Sequence, residues 1–306
     1  MKVSIFGLGY VGSVSAAALA RCGHHVIGVD VAADKVEAFA RGVPPVHEEG
    51  LAEALRLAHQ QGRIEATTSL EEAVSGSELS LICVGTPTRA DGTPELGYVT
   101  RVCENLGNAI AIKRSRHLVV LRSTVPGGTT ALCRSLLQER AGVDLVEVAF
   151  NPEFLREGCA LSDFFDPPYT ILGVTDDISE AKLRELYREV SGEVIITSLE
   201  QAEMVKLAAN AWHATKITFA NEIGMLAKQL NVDGRGVMDL LVRDTKLNVS
   251  PAYLRPGFAF GGSCLPKDVR ALSSIARRSI VAVPLLDSLL TSNQKQIESA
   301  AALILS

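Results

Sequence analysis

The first half of the chain alternates short apolar runs with segments of helical periodicity, and this alternation restricts the possible folds more than any other feature. The apolar runs are rich in β-branched residues and have the length of buried parallel strands. They are KVSIFGLG, HHVIGVD, LSLICVGTP, HLVVLRST and DLVEVAFNP. Segments with helical spacing lie between them, such as VGSVSAAALARCG and GGTTALCRSLLQERAG. This order predicts an α/β fold with a doubly wound, Rossmann-type parallel sheet.

The pattern changes after the runs YTILGV and EVIITS. Residues 198–230 form one long amphipathic run. Further helical stretches follow at 233–243, 266–278 and 283–304. A chain of 306 residues is long enough for two domains. We therefore expect a Rossmann-type domain over residues 1–197 and an all-helical domain, built on a long helix, over residues 198–306.

Charge and cysteine content exclude several functional classes. The chain has 30 basic and 35 acidic residues, so it lacks the basic excess that nucleic-acid binding requires. Its six cysteines include no CxxC pair and no His/Cys cluster at zinc spacing, which predicts neither disulfides nor a metal site. No apolar stretch approaches the roughly 18 residues of a membrane span, and the first residues do not resemble a signal peptide. We expect a cytoplasmic protein that does not bind membranes.

A dinucleotide site is predicted where the first strand meets the first helix. The turn Gly7-Leu8-Gly9-Tyr10-Val11-Gly12 has GxGxxG spacing, in which the glycines permit a tight turn, a close approach of the pyrophosphate and helix packing. Asp30 ends the second strand, where a carboxylate accepts hydrogen bonds from the adenosine ribose and repels a 2′-phosphate. This combination predicts NAD as the cofactor. Lys35 follows in a position to touch the ribose, and a solvated lysine is the alternative.

Hydroxyl side chains follow two further strands. Thr86 lies in VGTPT, and Ser123 and Thr124 lie in RSTVPGG. Ligands of open α/β sheets lie beyond the carboxyl ends of the strands, so these hydroxyls are expected to face the cofactor. Hydroxyl residues at helix starts also serve as N-caps, and the residues alone leave both interpretations open.

The stretch FAFGGSCLPKD raises the question whether Cys264 is a packed small residue or a nucleophile. Pro266 fits the first turn of a helix that follows the cysteine. A thiol at that position lies near a helix N-terminus and near Lys267, and both favour the nucleophilic thiolate. The preceding glycines keep side chains away from the sulfur.

A second candidate set lies on the long helix and after the strand DLVEVAF. Lys206 and Asn210 are four residues apart and share a helix face, and His213 follows three residues later. This stripe could line a polar site or face solvent. Glu153 and Glu157 follow the strand in FNPEFLREG, and we expect one to be structural and one functional.

In combination, these motifs resemble the nucleotide-sugar 6-dehydrogenases, the family of UDP-glucose and GDP-mannose dehydrogenases. The resemblance extends over nearly the whole chain and rests on FGLGYVG, VGTP, RSTV, NPEFLREG, the spacing of Lys206 and Asn210, and FGGSCLPKD. NAWHATKITFANEIG, with its Trp-His pair, is closest to the GDP-mannose branch. The resemblance implies GDP-mannose as the substrate, with UDP-glucose as the alternative.

The resemblance also implies a four-electron oxidation at C6 with two NAD⁺ and a thioester on the cysteine. The catalytic residues it implies are Cys264, Lys206, Asn210, Asp268, Glu157 and Thr124. The residues it implies for the nucleotide sugar are Glu157, Lys206, Asn210, His213, Asn221, Tyr253, Leu254, Arg255, Gly257 and Phe258. Lys267 is expected to reach the cofactor, and the long helix and its neighbours are expected to form a homodimer.

The sequence departs from the family pattern in two places. Where the family has Glu-Pro-Gly-Leu, VHEEGL carries Glu49 in the proline position, a loop change that we expect to be tolerated. The family also continues into a C-terminal nucleotide-sugar domain beyond IESAAALILS, and we expect that domain to be absent here. Two other functions compete. A one-step hydroxyacid dehydrogenase would share the broad architecture, but it needs no nucleophilic thiol, so FGGSC argues against it. A non-catalytic NAD-binding remnant is favoured only by the missing domain.

Overall fold

Twelve helices and eight strands make up the part of the chain that the computed structural model describes, namely residues 1–229, 231–245, 257–278 and 284–305. The strands are β1 (Lys2–Phe6), β2 (His25–Val29), β3 (Ile64–Thr67), β4 (Leu79–Ile82), β5 (His117–Leu121), β6 (Val146–Phe150), β7 (Tyr169–Gly173) and β8 (Glu193–Thr197). The first eight helices are α1 (Tyr10–Arg21), α2 (Ala33–Ala40), α3 (Leu51–Gln60), α4 (Leu70–Gly76), α5 (Gly97–Lys113), α6 (Thr129–Ala141), α7 (Ala160–Phe165) and α8 (Asp177–Leu186). The last four are α9 (Leu199–Gln229), α10 (Gly234–Leu241), α11 (Leu265–Arg278) and α12 (Pro284–Leu305).

The strands form one sheet in the order β3-β2-β1-β4-β5-β6-β7-β8. Strands β1 to β6 pair in parallel, and the chain starts at β1 in the middle and winds outward in both directions. The predicted α/β fold with a doubly wound parallel sheet is confirmed. Its switch point lies between β1 and β4, where ligands of such sheets bind.

Helices cover both faces of the sheet because buried strands alternate their side chains between two apolar layers. In β1, Val3 and Ile5 pack with α1, α3 and α8 on one face, and Phe6 packs with α5 and α6 on the other. Five residues of β5 are completely or almost completely buried. The carboxyl ends of these strands are therefore held rigidly at one edge.

Two features of the sheet differ from the sequence pattern. Strand β3 was not predicted, because its four residues IEAT form an edge strand with mostly half-exposed side chains and lack a continuous apolar run. Strand β7 pairs antiparallel with β6, through Phe150 and Gly173, and then parallel with β8. The chain thus reverses direction after β6, which the apolar runs alone did not indicate.

The described chain packs as two units. The first contains residues 1–86 and 95–206, and the second contains residues 87–94 and the described residues from Leu207 onward. The second unit contains α9 from Leu207 onward and also α10, α11 and α12, which lie at the positions that the sequence predicts, whereas residues 87–94 are not helical. The domain boundary between residues 197 and 198 stays a prediction. None of the helices in the described part combines the length and apolarity needed to cross a membrane.

A buried polar network connects three strands at the end of the sheet opposite the Gly-rich turn. The Ser4 and Ser80 hydroxyls are 2.8 Å apart, and Ser80 Oγ lies 2.7 Å from His117 Nε2. Lys113 Nζ is 3.1 Å from His117 Nδ1. Burial, followed by the neighbouring ammonium groups of Lys113 and Lys182, lowers the pKa of His117 to about 3. The imidazole is therefore neutral in the folded protein.

Because His117 is buried as a neutral imidazole, the free energy of unfolding should depend on pH under acidic conditions. Its ordinary pKa is 6.5, so between pH 6.5 and about 3 the unfolded chain binds a proton that the folded protein does not. The free energy of unfolding should fall as pH falls through this window, by up to about 1.4 kcal/mol per pH unit from this group. In urea titrations at several pH values, His117→Gln should reduce this slope, whereas the exposed control His59→Gln should keep it. An unchanged slope in His117→Gln would contradict the assignment.

Candidate active site

The Gly-rich turn is shaped by close backbone contacts at two of its glycines. Gly7 has φ +99°, and a Cβ there would lie 2.9 Å from the carbonyl oxygen of Cys83. A Cβ at Gly12 would overlap the Gly7 carbonyl oxygen at 1.8 Å. Both positions therefore require glycine.

The N-terminus of α1 is open for an anionic ligand. Gly9 precedes α1 without a side-chain cap, and a Cβ built there would meet nothing within 4 Å. Tyr10 and Val11 form the first residues of the helix, which has no acidic residue in its first turn. Free N–H groups, the helix dipole and the open space over Gly9 fit the pyrophosphate of a dinucleotide.

Asp30 connects the Gly-rich turn to the end of β2. Its carboxylate accepts hydrogen bonds from the Leu8 amide at 2.8 Å and from the Ala32 amide at 3.0 Å. Lys35 Nζ lies 4.0 Å from the same group. A carboxylate has about four acceptor positions, so lone pairs remain for ribose hydroxyls. Asp30 thus has a structural role that the sequence did not predict, in addition to the predicted cofactor role.

The hydroxyls after β4 and β5 bind backbone carbonyls of the neighbouring loop. Thr86 Oγ1 donates to the Thr124 carbonyl at 2.9 Å, and Ser123 Oγ donates to the Val84 carbonyl at 2.6 Å. Thr86 and Ser123 are buried, and Thr124 is half-buried. These bonds fix the two loops together at the switch point, while the contacts of the three residues with the cofactor stay predictions.

A buried ion pair lies at the carboxyl edge of β6. Lys206 Nζ is 3.0 Å from Glu153 Oε1, and the Leu155 amide donates to Glu153 Oε2 at 2.7 Å. The Lys206 side chain is 6% exposed and that of Glu153 is 8% exposed, so Lys206 does not belong to a solvated stripe. Burial raises the pKa of Glu153, but the Lys206 ammonium and the Leu155 amide outweigh it, and the pKa falls below its usual range. Glu153 therefore has a structural role, whereas Glu157 is exposed and its functional role stays a prediction.

Arg122 is a second buried cation beside this pair, and it was not selected in the sequence analysis. Its guanidinium donates to Asn151 Oδ1, to the Tyr187 hydroxyl at 3.2 Å and to Ser15 Oγ at 3.2 Å. Its charge also favours the ionised form of Glu153. A charged residue directly after an apolar strand was the available signal.

Glu203 is another site residue that sequence reasoning missed. Its carboxylate accepts hydrogen bonds from the Gly128 amide at 2.6 Å, the Thr130 amide at 2.7 Å and the Thr130 hydroxyl at 2.6 Å. Burial raises its pKa in spite of these donors. Glu203 therefore joins the start of α6 to the turn of α9 that carries Lys206.

In the second unit, Cys264 is exposed at the start of α11. Its carbonyl accepts the Asp268 amide at 2.8 Å, which is the first hydrogen bond of the helix. Gly262 has φ +78°, a conformation that favours glycine two residues before the thiol. Cys264 is therefore not a packed core residue.

Asp268 lies one turn further along α11 and is 1% exposed. Its carboxylate accepts a hydrogen bond from the Asn210 amide group and lies 3.3 Å from Lys267 Nζ. The structure thus joins three of the predicted site residues in one polar cluster. The family resemblance had implied both Asn210 and Asp268 as site residues, but the contact between them was not predicted.

Asn221 is buried and fixes the segment that precedes the cysteine. It accepts from the Gly257 amide at 2.7 Å and donates to the Phe258 carbonyl at 3.1 Å. Phe258 is 67% exposed, and His213 is half-buried on α9. The predicted substrate residues Tyr253, Leu254 and Arg255 lie outside the described residues.

Comparisons with known proteins cover both units. The NAD binding domain of the UDP-glucose/GDP-mannose dehydrogenase family matches residues 1–191, and the central domain of that family matches residues 200–295. The GDP-mannose 6-dehydrogenase of Pseudomonas aeruginosa is 49% identical over 311 residues, which include 100% of this chain and 71% of that protein.

Two solved structures of this group are also similar. A UDP-glucose dehydrogenase from the hyperthermophilic archaeon Pyrobaculum islandicum has a TM-score of 0.93 and 40% identity, over 96% of this chain and 68% of that one. A ternary complex of GDP-mannose dehydrogenase from Pseudomonas aeruginosa has a TM-score of 0.81 and 48% identity, over 99% of this chain and 71% of that one.

Proposed function

The chain belongs to the UDP-glucose/GDP-mannose dehydrogenase family, and on that basis we propose that it oxidises GDP-mannose at C6 to the uronate with Cys264 as the nucleophile. The exposed thiol of Cys264 at the start of a helix, in a chain with an open dinucleotide-binding turn, is the observation that carries the proposal. The alternative function, a one-step hydroxyacid dehydrogenase, does not need a nucleophilic thiol.

The first unit holds the residues that would bind NAD. The turn Gly7–Gly12 would face the pyrophosphate, and Asp30 would accept the ribose hydroxyls, with Lys35 beside it. Thr86, Ser123 and Thr124 lie at the neighbouring strand ends, and Lys267 is assigned to the cofactor from the family resemblance. When bound, NAD⁺ supplies the hydride acceptor for both oxidations.

Cys264 divides the oxidation into two stages. After the C6 alcohol becomes an aldehyde, the thiolate adds to the carbonyl carbon and forms a C–S bond, giving a thiohemiacetal. Loss of the remaining C6 hydrogen with its electron pair to the hydride acceptor, together with loss of the hydroxyl proton to solvent, leaves a thioester. Water then adds to the thioester carbonyl, the C–S bond breaks, and the carboxylate and the thiolate separate. The covalent bond retains the aldehyde between the two oxidations, which an unactivated serine would do poorly.

Other residues receive roles in charge stabilisation and proton transfer. We assign Lys206 to stabilising negative charge on the C6 oxygen and Asn210 to donating a hydrogen bond to that oxygen. Asp268 holds Asn210, Glu157 accepts the proton of the attacking water, and Thr124 orients that water. His213, Asn221, Gly257 and Phe258 are assigned to the nucleotide sugar, as are Tyr253, Leu254 and Arg255.

The identity of the sugar is tested by comparing kcat/KM for GDP-mannose and UDP-glucose at saturating NAD⁺. The 48% identity to the solved GDP-mannose dehydrogenase, against 40% to the solved UDP-glucose dehydrogenase, and the Trp-His pair at Trp212 and His213 support GDP-mannose. We expect a preference of roughly a hundredfold or more, since a site built for one hydrogen-bonding pattern rejects another. A preference for UDP-glucose would overturn the sugar assignment and keep the reaction class. Binding of NAD without turnover of either sugar would support the non-catalytic alternative.

A homodimer is the assembly that we propose, with α9 at its centre. Trp212 and Phe219 are seven residues apart on one helix face and are 48% and 43% exposed. Large exposed aromatic side chains at this spacing are typical of a covered interface. Light scattering should give twice the chain mass for the protein and a monomer for Trp212→Glu/Phe219→Glu. Ile112→Glu, which changes an exposed apolar residue on α5, should remain dimeric. A folded monomer of the unmodified chain at micromolar concentration would contradict this assembly.

A further inference from the structure

Glu48 is a buried carboxylate for which the reaction described above has no use. It lies just before α3, in the segment VHEEGL, and is 7% exposed. Oε2 accepts the Tyr10 hydroxyl at 2.5 Å and the Gly158 amide at 2.8 Å, and Oε1 accepts the Ala160 amide at 2.9 Å. One carboxylate therefore joins the start of α1 to the segment that follows β6.

The partners of Glu48 keep it ionised. Burial alone would raise its pKa, but the Tyr10 hydroxyl and the two amides outweigh burial, and the pKa lies below its usual range. The pKa of Tyr10 shifts in the opposite direction, because burial and the hydrogen bond to Glu48 raise it. At neutral pH the hydroxyl thus donates and the carboxylate accepts, which is a strong, charge-assisted arrangement.

The backbone on both sides of Glu157 is held by these contacts. Gly158 donates directly to Glu48, and the Arg156 carbonyl oxygen lies 3.3 Å from the Tyr10 hydroxyl. Arg156 is further fixed by Asp163, which accepts its amide at 2.9 Å and its guanidinium at 2.7 Å. The Glu157 side chain is exposed, and these contacts fix the backbone position from which it extends.

We infer that Glu48 is a positioning residue that, through Tyr10, Gly158 and Ala160, fixes Glu157 next to the dinucleotide-binding turn. The structural part stands on the hydrogen bonds above, and the kinetic part rests on the proposed function, in which Glu157 accepts the proton of the water that attacks the thioester. A displaced Glu157 would leave that proton without an acceptor. The C–S bond would then break slowly, and the thioester would accumulate on the enzyme.

Hydrogen exchange tests the structural part without any turnover. Glu48→Gln replaces one acceptor oxygen by an NH₂ donor, so at least one of the three donors loses its partner. Amides of residues 156–160 should exchange about tenfold faster or more in this variant. Glu49→Gln, which makes the same change at the exposed neighbouring residue, should exchange like the unmodified protein. Tyr10→Phe provides a second route if Glu48→Gln does not fold, and it should also speed exchange in this segment. Unchanged exchange in the folded variants would overturn the inference.

Kinetics and intact-protein mass test the functional part. With GDP-mannose and NAD⁺, Glu48→Gln should lower kcat by about 10- to 100-fold, since misplacing a reacting group by about 1 Å has effects of this size. KM should change little, and a protein adduct with the mass of the bound sugar nucleotide should build up during turnover. In the double variant Glu48→Gln/Glu157→Gln, kcat should be no lower than in Glu157→Gln alone.

The two proposals fail in different ways. An unmodified protein that makes two NADH per sugar, together with an unchanged kcat and no adduct in Glu48→Gln, would overturn the role of Glu48 only. An unmodified protein that makes no NADH would overturn the proposed function, and hydrogen exchange would still decide whether Glu48 holds the segment around Glu157.

Discussion

Replacing the exposed thiol of Cys264 should abolish acid formation while leaving the NAD site intact. Cys264→Ala removes the only atom in the proposed reaction that can form the C–S bond, so uronate formation should fall roughly a thousandfold or more. NAD affinity, measured by calorimetry, should not change, because the residues assigned to the pyrophosphate and the ribose, Gly7–Gly12 and Asp30, are unaltered in this variant.

A matched variant separates this effect from general loss of a cysteine. Cys159 is also an exposed free thiol, and it lies in the first unit after Glu157. Cys159→Ala should retain uronate formation. If Cys264→Ala turned over at the rate of the unmodified enzyme, the reaction would not proceed through a covalent bond to Cys264.

Removing Lys206 should reduce both activity and stability. Lys206→Met leaves the Glu153 carboxylate buried without its cation, and breaking a buried ion pair in this way costs about 3–5 kcal/mol of unfolding free energy. The effect should be largest at neutral pH. Because the pKa of Glu153 is depressed in the folded protein, the pair stabilises the fold above the ordinary pKa of 4.5 and loses this contribution as pH falls below it.

A double variant distinguishes the structural role of Lys206 from its catalytic role. Lys206→Met/Glu153→Gln removes both charges, so urea titration should show that most of the lost stability returns. NADH production should remain low, since the cation assigned to the C6 oxygen is still missing. Activity that returns together with stability would show that Lys206 acts only by holding Glu153.

Local sequence signals were sufficient for seven of the eight strands, the Gly-rich turn and the four helices after β8, but not for β3 or for the antiparallel pairing of β7 with β6. Gly7 and Gly12 could be selected because strand, turn and helix follow one another within a dozen residues, and the structure explains both by backbone contacts. Strand β3 was not predicted because a short edge strand with half-exposed side chains has little apolar periodicity.

Contacts between residues far apart in the chain could not be predicted in this way. Glu48 meets Gly158 across 110 residues, and Glu203 meets Thr130 across 73 residues. Each of these glutamates looks like an ordinary surface acid in its local sequence, and only the fold shows that it binds backbone amides. The pairing of Asn210 with Asp268, across 58 residues, was missed for the same reason, although both residues were selected.

The number of NADH molecules formed per sugar distinguishes a four-electron oxidation through a Cys264 thioester from a single oxidation. A limiting amount of GDP-mannose is converted to completion with excess NAD⁺, and NADH is measured by absorbance while the sugar product is identified by mass. We expect two NADH for each GDP-mannose consumed and a uronate as the product. One NADH with an aldehyde product would contradict the role of Cys264 as a thioester-forming nucleophile.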